Sequence, residues 1–286
     1  MFKKRKSSLS IGDSKIVLSL RIIRLVGTIF CVIGILFGAY KIIKWQVERE
    51  IADEQVKEVQ ETEIKEIADS ENTEIIQTDD TNKDDPYWEY VKMSMLDVDF
   101  KDLLLKNPDT VGWVKVDGTS INYPFVRGSD NKFYLNHTFN RSLNSAGWVY
   151  LDYRNDKSLT KNRNSILYAH NRLDSSLFGT LRKVLTSSWQ NNPNNHVVKI
   201  ATETETSLWQ VFSVYKTPVT SDYLKVNFEA NNEFLMFAEK LKSRSVYNFN
   251  TSVSLTDKIL TLSTCSDDNN GRIVLHAKLI KTTPKV

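Results

Sequence analysis

The sequence predicts a mainly β protein: a closed or nearly closed barrel of about eight strands, with helices before it and one helix in a late strand connection. Eight short runs of strand composition follow one another between Gly112 and Ile280. After residue 86 only two stretches, 92–106 and 231–242, space their apolar residues along one face of a helix. Glycine and proline together number 16 of 286 residues, which excludes collagen-like and low-complexity architectures.

Charge divides the chain into three unlike materials. Residues 1–45 carry nine Lys/Arg against Asp13, a net +8, and residues 46–86 carry fifteen Asp/Glu against four Lys/Arg, a net −11. The remaining 200 residues hold +6 of the overall +3 balance. They contain no basic stripe interleaved with aromatics, so nucleic-acid binding is not expected.

The first element is a transmembrane anchor over 25–45, after a basic segment at 1–24. Residues 25–40 hold no charge and as a helix reach roughly 24 Å, short of a hydrocarbon core of about 30 Å. Letting Lys41 and Lys44 snorkel extends the span to Trp45, and Tyr40 and Trp45 suit the headgroup level. No small-x-small cleavage site follows the run, so the anchor is expected to be retained. Seven Lys/Arg, from Lys3 to Arg24, precede it; the positive-inside rule keeps 1–24 cytoplasmic and sends everything after Trp45 outside. The expected location is therefore the cell membrane, in a single pass. Residues 46–86 lack aromatics and read as an acidic stalk or linker, partly helical near the membrane, disordered after about Asp69 and dispensable for catalysis.

The body, 87–286, opens with the helix expected over 92–106, where Met95, Leu96, Phe100, Leu103 and Leu104 share a face. The strand runs 112–116 and 121–126 flank Asp117-Gly118, a hairpin signal. Further runs lie at 147–152, 165–170, 196–201, 208–215, 258–264 and 272–280, and the helix at 231–242 precedes the last two.

Cys31 lies inside the anchor and Cys265 near the end of the body, so the two cannot pair within one chain. An exported domain with one leftover cysteine carries either a reactive thiol or a buried inert one. Cys265 ends the run 259–264, and after a polar loop Arg272 starts the next. A hairpin there sets thiol and guanidinium at the same end of the sheet, where the thiol is placed to ionise. A cysteine nucleophile also needs a proton handler. His170 ends a strand run, His276 lies mid-strand on the face of Arg272 and Val274, and His137 and His196 sit in loop-like surroundings. The strand-end position favours His170.

The string Thr261-Leu262-Ser263-Thr264-Cys265, followed by Arg272-Ile273-Val274, resembles the active-site signature of sortases. Leu167-Tyr168-Ala169-His170-Asn171 is similar to their histidine motif. The likeness runs from about Tyr87 to Thr283 and is closest to class B sortases, which share the helical extension before the barrel and the helix in the late connection. Gly112-Trp113-Val114, Gly147-Trp148-Val149-Tyr150-Leu151-Asp152 and 274–280 fit that class as well. The resemblance implies a membrane-bound cysteine transpeptidase of Gram-positive bacteria. Its partners would be secreted proteins bearing a C-terminal sorting motif and, as acceptor, an amine of a cell-wall precursor. Carried over by position, Cys265 is the nucleophile, His170 the acid/base and Arg272 the third catalytic group. Asp267 matches a secondary acidic position of that class, with a solvated loop carboxylate the preferred reading. Leu135, Tyr223, Leu224 and Ser263 correspond to substrate-groove positions, although Leu135 and the Tyr223-Leu224 pair equally suit a core.

The implied chemistry needs only these residue types. A thiolate attacks the carbonyl, a thioacyl intermediate forms, and one histidine acts first as acid and then as base. No His/Cys/Asp cluster has metal-ligand spacing and no Gly-rich phosphate loop occurs, so neither metal nor cofactor is expected. The competing readings are a membrane-tethered cysteine protease or amidase with water as acceptor, a pilin-polymerising sortase, and a surface adhesion module with an incidental thiol.

Overall fold

The computed structural model describes residues 11–62, 64–69, 72–76, 86–172, 174–265 and 271–285, with backbone alone at 11–17 and at Cys265. In chain order the elements are α1 (Ile11–Gln60), β1 (Ile64–Ile67), β2 (Glu74–Ile75), α2 (Tyr87–Tyr90), β3 (Met95–Val98), α3 (Lys101–Lys106), β4 (Thr110–Val116) and β5 (Asn122–Val126). There follow β6 (Tyr150–Leu151), β7 (Asn164–His170), α4 (Ser187–Gln190), β8 (Val197–Thr202), β9 (Glu205–Thr217), α5 (Asn231–Ser243), β10 (Ile259–Cys265) and β11 (Arg272–Pro284). The chain divides into two compact units, 1–50 and 51–286.

The first unit is the N-terminal part of α1. Ile22, Phe30, Leu36 and Trp45 are all more than half exposed, so the helix shows apolar side chains around its circumference. A helix of that kind has no polar face for water and is matched by lipid. It is long and apolar enough to cross a membrane, consistent with an anchor.

The second unit is a barrel. The strands run in the order β10-β7-β6-β5-β4-β8-β9-β11-β2, and β10 also pairs with β11. That extra pairing closes eight strands into a ring and leaves β2 as an appended edge on β11. Closure removes the exposed strand edges that an open sheet would present. The interior is filled by side chains such as Trp113, Phe125, Trp148 and Trp209, each nearly without solvent exposure. The β4–β5 hairpin forms where Asp117-Gly118 predicts it, with Gly118 at φ +74°, a conformation that costs a non-glycine residue energy. The late helix appears as α5, burying Phe234, Phe237, Ala238 and Leu241.

Two local readings differ from the sequence. The helix expected over 92–106 is divided into β3 and α3. Met95 and Leu96 are both fully buried, which a strand between two layers permits, and β1 supplies the pairing partner. Helical spacing and a strand buried on both faces look alike over so few residues. The run 147–152 shrinks to the two residues of β6, although Trp148 and Val149 remain buried.

The acidic segment is also partly engaged with the body. Val59 of α1 joins the main core, β1 pairs with β3, and β2 pairs with β11 at Ile75 and Lys281. Glu66 bonds Lys115, and the buried Lys281 is ion-paired with Asp69.

Candidate active site

The site lies where three strands of the closing seam end. β7 and β10 run parallel, and their register ends with Cys265 opposite His170. β11 returns antiparallel to β10 with Val274 opposite Ser263. The same register carried two residues further sets Arg272 across from Cys265. Parallel pairing brings two C-terminal strand ends together, and the hairpin adds the start of a third. Backbone geometry alone therefore gathers the three residues expected to be catalytic.

Each described side chain has fixed partners. His170 is half-buried, with Nε2 2.7 Å from the carbonyl of Leu135. A carbonyl can only accept, so Nε2 carries hydrogen and the neutral ring keeps its lone pair at Nδ1. Arg272 is half-buried and donates from Nη1 to the carbonyl of Thr264 at 3.2 Å. The hydroxyl of Thr264 accepts from the amide of Ile273 at 2.9 Å, locking the start of β11 onto the end of β10. Gly147 completes the wall around His170. It stands at φ +61°, and a Cβ there would lie 2.6 Å from the carbonyl oxygen of Tyr134 and 3.0 Å from Cδ2 of His170.

Beside Arg272 opens a cavity of about 290 Å³ lined by Leu135, Tyr223, Leu224, Ser263 and Thr264. The four groove positions expected from the sequence thus meet in one cavity. Tyr223 is at once wall and core: it is 1% exposed and its hydroxyl bonds Ser263 Oγ at 2.9 Å. Leu135 and Leu224 are half-buried. Asp267 lies outside the described residues. Asn131, Tyr150, Tyr168 and Thr220 also line the cavity and were not singled out by the sequence. Asn131 carries a readable signal, since it stands in the Asp130–Leu135 loop segment; the tyrosines do not differ in pattern from core residues.

The other histidines are held elsewhere. His276 is fully buried, between Thr261 Oγ1 and the Tyr215 hydroxyl at 2.9 Å each, and burial pushes its pKa down to about 3. His196 is buried against Tyr90, Trp189 and Phe249, and burial lowers its pKa as well. His137 stacks on Phe133 and bonds that residue's carbonyl. Among the described residues no cluster of His, Cys, Asp or Glu is arranged to hold a metal ion.

A barrel whose seam ends in cysteine, histidine and arginine beside a peptide-sized cavity defines a class of cysteine-dependent acyl-transfer enzymes. Residues 114–280 match the Sortase domain family, and the chain belongs to the sortase family of cysteine transpeptidases. Its relatives are class B members. Sortase B of Staphylococcus aureus (strain NCTC 8325 / PS 47) is 37% identical over 188 residues, covering 64% of this chain and 75% of that protein. The crystal structure of sortase B from Bacillus anthracis in complex with AAEK1 superposes with a TM-score of 0.64 at 31% identity, over 84% of this chain and 99% of that one. The Staphylococcus aureus sortase B–substrate complex gives a TM-score of 0.59 at 36% identity, over 64% and 84% respectively.

Proposed function

We propose that this chain is a membrane-anchored transpeptidase that cleaves a C-terminal sorting motif of secreted proteins and joins the new carboxyl end to a cell-wall amine. The observation that carries this reading is the register of the seam, with Cys265 opposite His170 and Arg272 next across. The thiolate of Cys265 attacks the scissile carbonyl and forms a thioacyl intermediate. Arg272 faces the oxygen on which charge develops. His170, whose Nε2 hydrogen is committed to Leu135, handles the proton at Nδ1, giving it to the departing amine and taking one from the incoming amine. Leu135, Tyr223, Leu224 and Ser263 hold the motif, a role supported by their meeting in one cavity beside Arg272. Asp267 acts only secondarily.

The same proposal covers organisation. Residues 1–24 are cytoplasmic and 25–45 cross the membrane; 46–86 link the anchor to the catalytic domain at 87–286, outside the cell. The seven Lys/Arg of residues 1–24, set against Asp13 alone, support that orientation. The test is product analysis of the full-length protein in detergent, given a library of sorting-signal peptides with and without triglycine. An amide-linked triglycine product is expected. Hydrolysis alone, unchanged by triglycine, would overturn the reading in favour of a protease.

A further inference from the structure

A buried carboxylate stands behind the cavity, and the reaction makes no use of it. Asp152 follows β6 and is 0% exposed. Its Oδ1 accepts from Nε of Arg154 at 2.8 Å and from the Arg154 backbone amide at 3.0 Å. Its Oδ2 accepts from Nη2 of Arg154 at 2.7 Å, from Nδ2 of Asn131 at 3.0 Å and from the Tyr168 hydroxyl at 3.0 Å. Burial pushes this carboxyl up, but the bonds from Arg154 outweigh it and hold it below the usual carboxylate range.

The donors come from different walls of the cavity. Asn131 and Leu135 belong to one loop, and Tyr168 stands two residues before His170, on the same face of β7. Arg154 reaches further: its Nη2 also donates at 3.1 Å to the carbonyl of Leu224, which lines the cavity from a third segment of the chain. Asn131 is pinned twice more, by the amide of Tyr153 at 3.0 Å and the hydroxyl of Tyr150 at 3.2 Å. One ion pair therefore joins the loop of Leu135, the strand of His170 and the segment of Leu224. An ion pair whose arginine is more than a third exposed is a weak source of net stability, because water screens it. Its value here is geometric: the planar fork of arginine fixes two acceptors at once.

We infer that Asp152 and Arg154 are positioning residues that set the separation of the cavity walls, and thereby which side chain of the sorting motif the cavity accepts. The inference rests on the transpeptidase reading. An apolar pocket separates substrates differing by one methylene by about 10–200-fold, and a 1 Å misplacement of bound substrate costs about 10²-fold, so a loosened wall changes selection before it changes the thiol.

The test uses the full-length protein in detergent. Asp152→Asn risks the fold because it sets a buried amide donor against the donors of Asn131 and Tyr168, so Arg154→Lys is the deciding variant; that side chain is 37% exposed, and lysine keeps the charge while losing the fork. Three readouts are taken: kinetics with a peptide library randomised one position at a time, hydrogen exchange at 223–225, and alkylation of Cys265 by iodoacetamide. Arg154→Lys is expected to raise KM for the preferred peptide about tenfold, flatten the preference at one motif position, and speed exchange at 223–225. Alkylation of Cys265 should keep its wild-type rate. Unchanged KM and preference would overturn the inference, and so would a parallel loss of every readout, which marks a merely structural role. Inactivity of the wild-type chain toward every peptide would defeat the transpeptidase reading instead. The exchange measurement then judges the tie by itself, faster exchange sustaining it and unchanged exchange overturning it.

Discussion

β10 is flanked by two strands that each bring it a histidine, β7 with His170 and β11 with His276. His276 pairs across from Thr261 and His170 across from Cys265, four residues further along β10, or about 13 Å. That distance separates two kinds of environment. Thr261 donates its hydroxyl hydrogen to Asn164 Oδ1 at 2.7 Å, so its oxygen accepts from Nδ1 of His276, and Nε2 of His276 accepts from Tyr215. The ring is buried, bonded at both nitrogens and kept neutral. His170 instead stands at a strand end, half-buried, with its Nε2 bonded to the backbone carbonyl of Leu135. The comparison teaches that position along the seam separates a sealed histidine from one open to solvent: the middle of a closed barrel is sealed, and its mouth is not.

The largest effect that can break this comparison is at the mouth. His170→Ala should keep the fold and lose about 10²–10⁴-fold in turnover, measured by peptide cleavage. Arg272→Lys keeps the charge but loses the planar fork, and kcat should fall by about 10²–10³-fold if Arg272 meets the developing oxyanion. Near-complete rescue by lysine would instead assign Arg272 to lowering the thiol pKa through its charge. Inactivity of His276→Gln alongside full activity of His170→Ala would invert the assignment.

An intermediate effect concerns the acidic segment. Removing residues 1–50 should leave the thermal midpoint of the body nearly unchanged. Removing 1–86 strips Val59 from the core, a burial on the order of 1.5–3 kcal/mol, and takes Asp69 away from the buried Lys281. Calorimetry on the two truncations tests this. Equal midpoints would mean that 51–86 act only as a tether.

The smallest effect sharpens the comparison at its buried end. The pKa of His276 is about 3 when folded and about 6.5 when unfolded, so above pH 6.5 both states are neutral and the group does not change stability with pH. As pH falls from 6.5 toward 3 the unfolded chain takes up a proton that the folded one refuses. The wild type then loses up to about 1.4 kcal/mol per pH unit from this group. Denaturant titrations at pH 7 and pH 4.5 should show a smaller acid loss in His276→Gln than in wild type. Equal slopes would show that His276 is not held neutral.

Sequence pattern carried much of this architecture. The strand runs, the Asp117-Gly118 turn and α5 were legible because alternation, turn chemistry and amphipathic spacing are local signals. Cys265, His170 and Arg272 were legible because each stands at the boundary between a strand run and a polar loop. What stayed hidden depended on remote partners. Met95 and Leu96 read as helix until β1 pairs with their strand, and the acidic charge of 46–86 masked the few apolar residues that dock. The Asp152–Arg154 pair has no pattern of its own, since its meaning comes from Asn131, Tyr168 and Leu224, which are distant in sequence.

The most direct measurement is intact-mass spectrometry of the full-length protein mixed with a sorting-signal peptide, without amine and then with triglycine. The account predicts an acyl adduct that maps to Cys265, disappears as the triglycine amide forms, and is absent in Cys265→Ala. An adduct that persists in Cys265→Ala, or amide product formed by that variant, would contradict it.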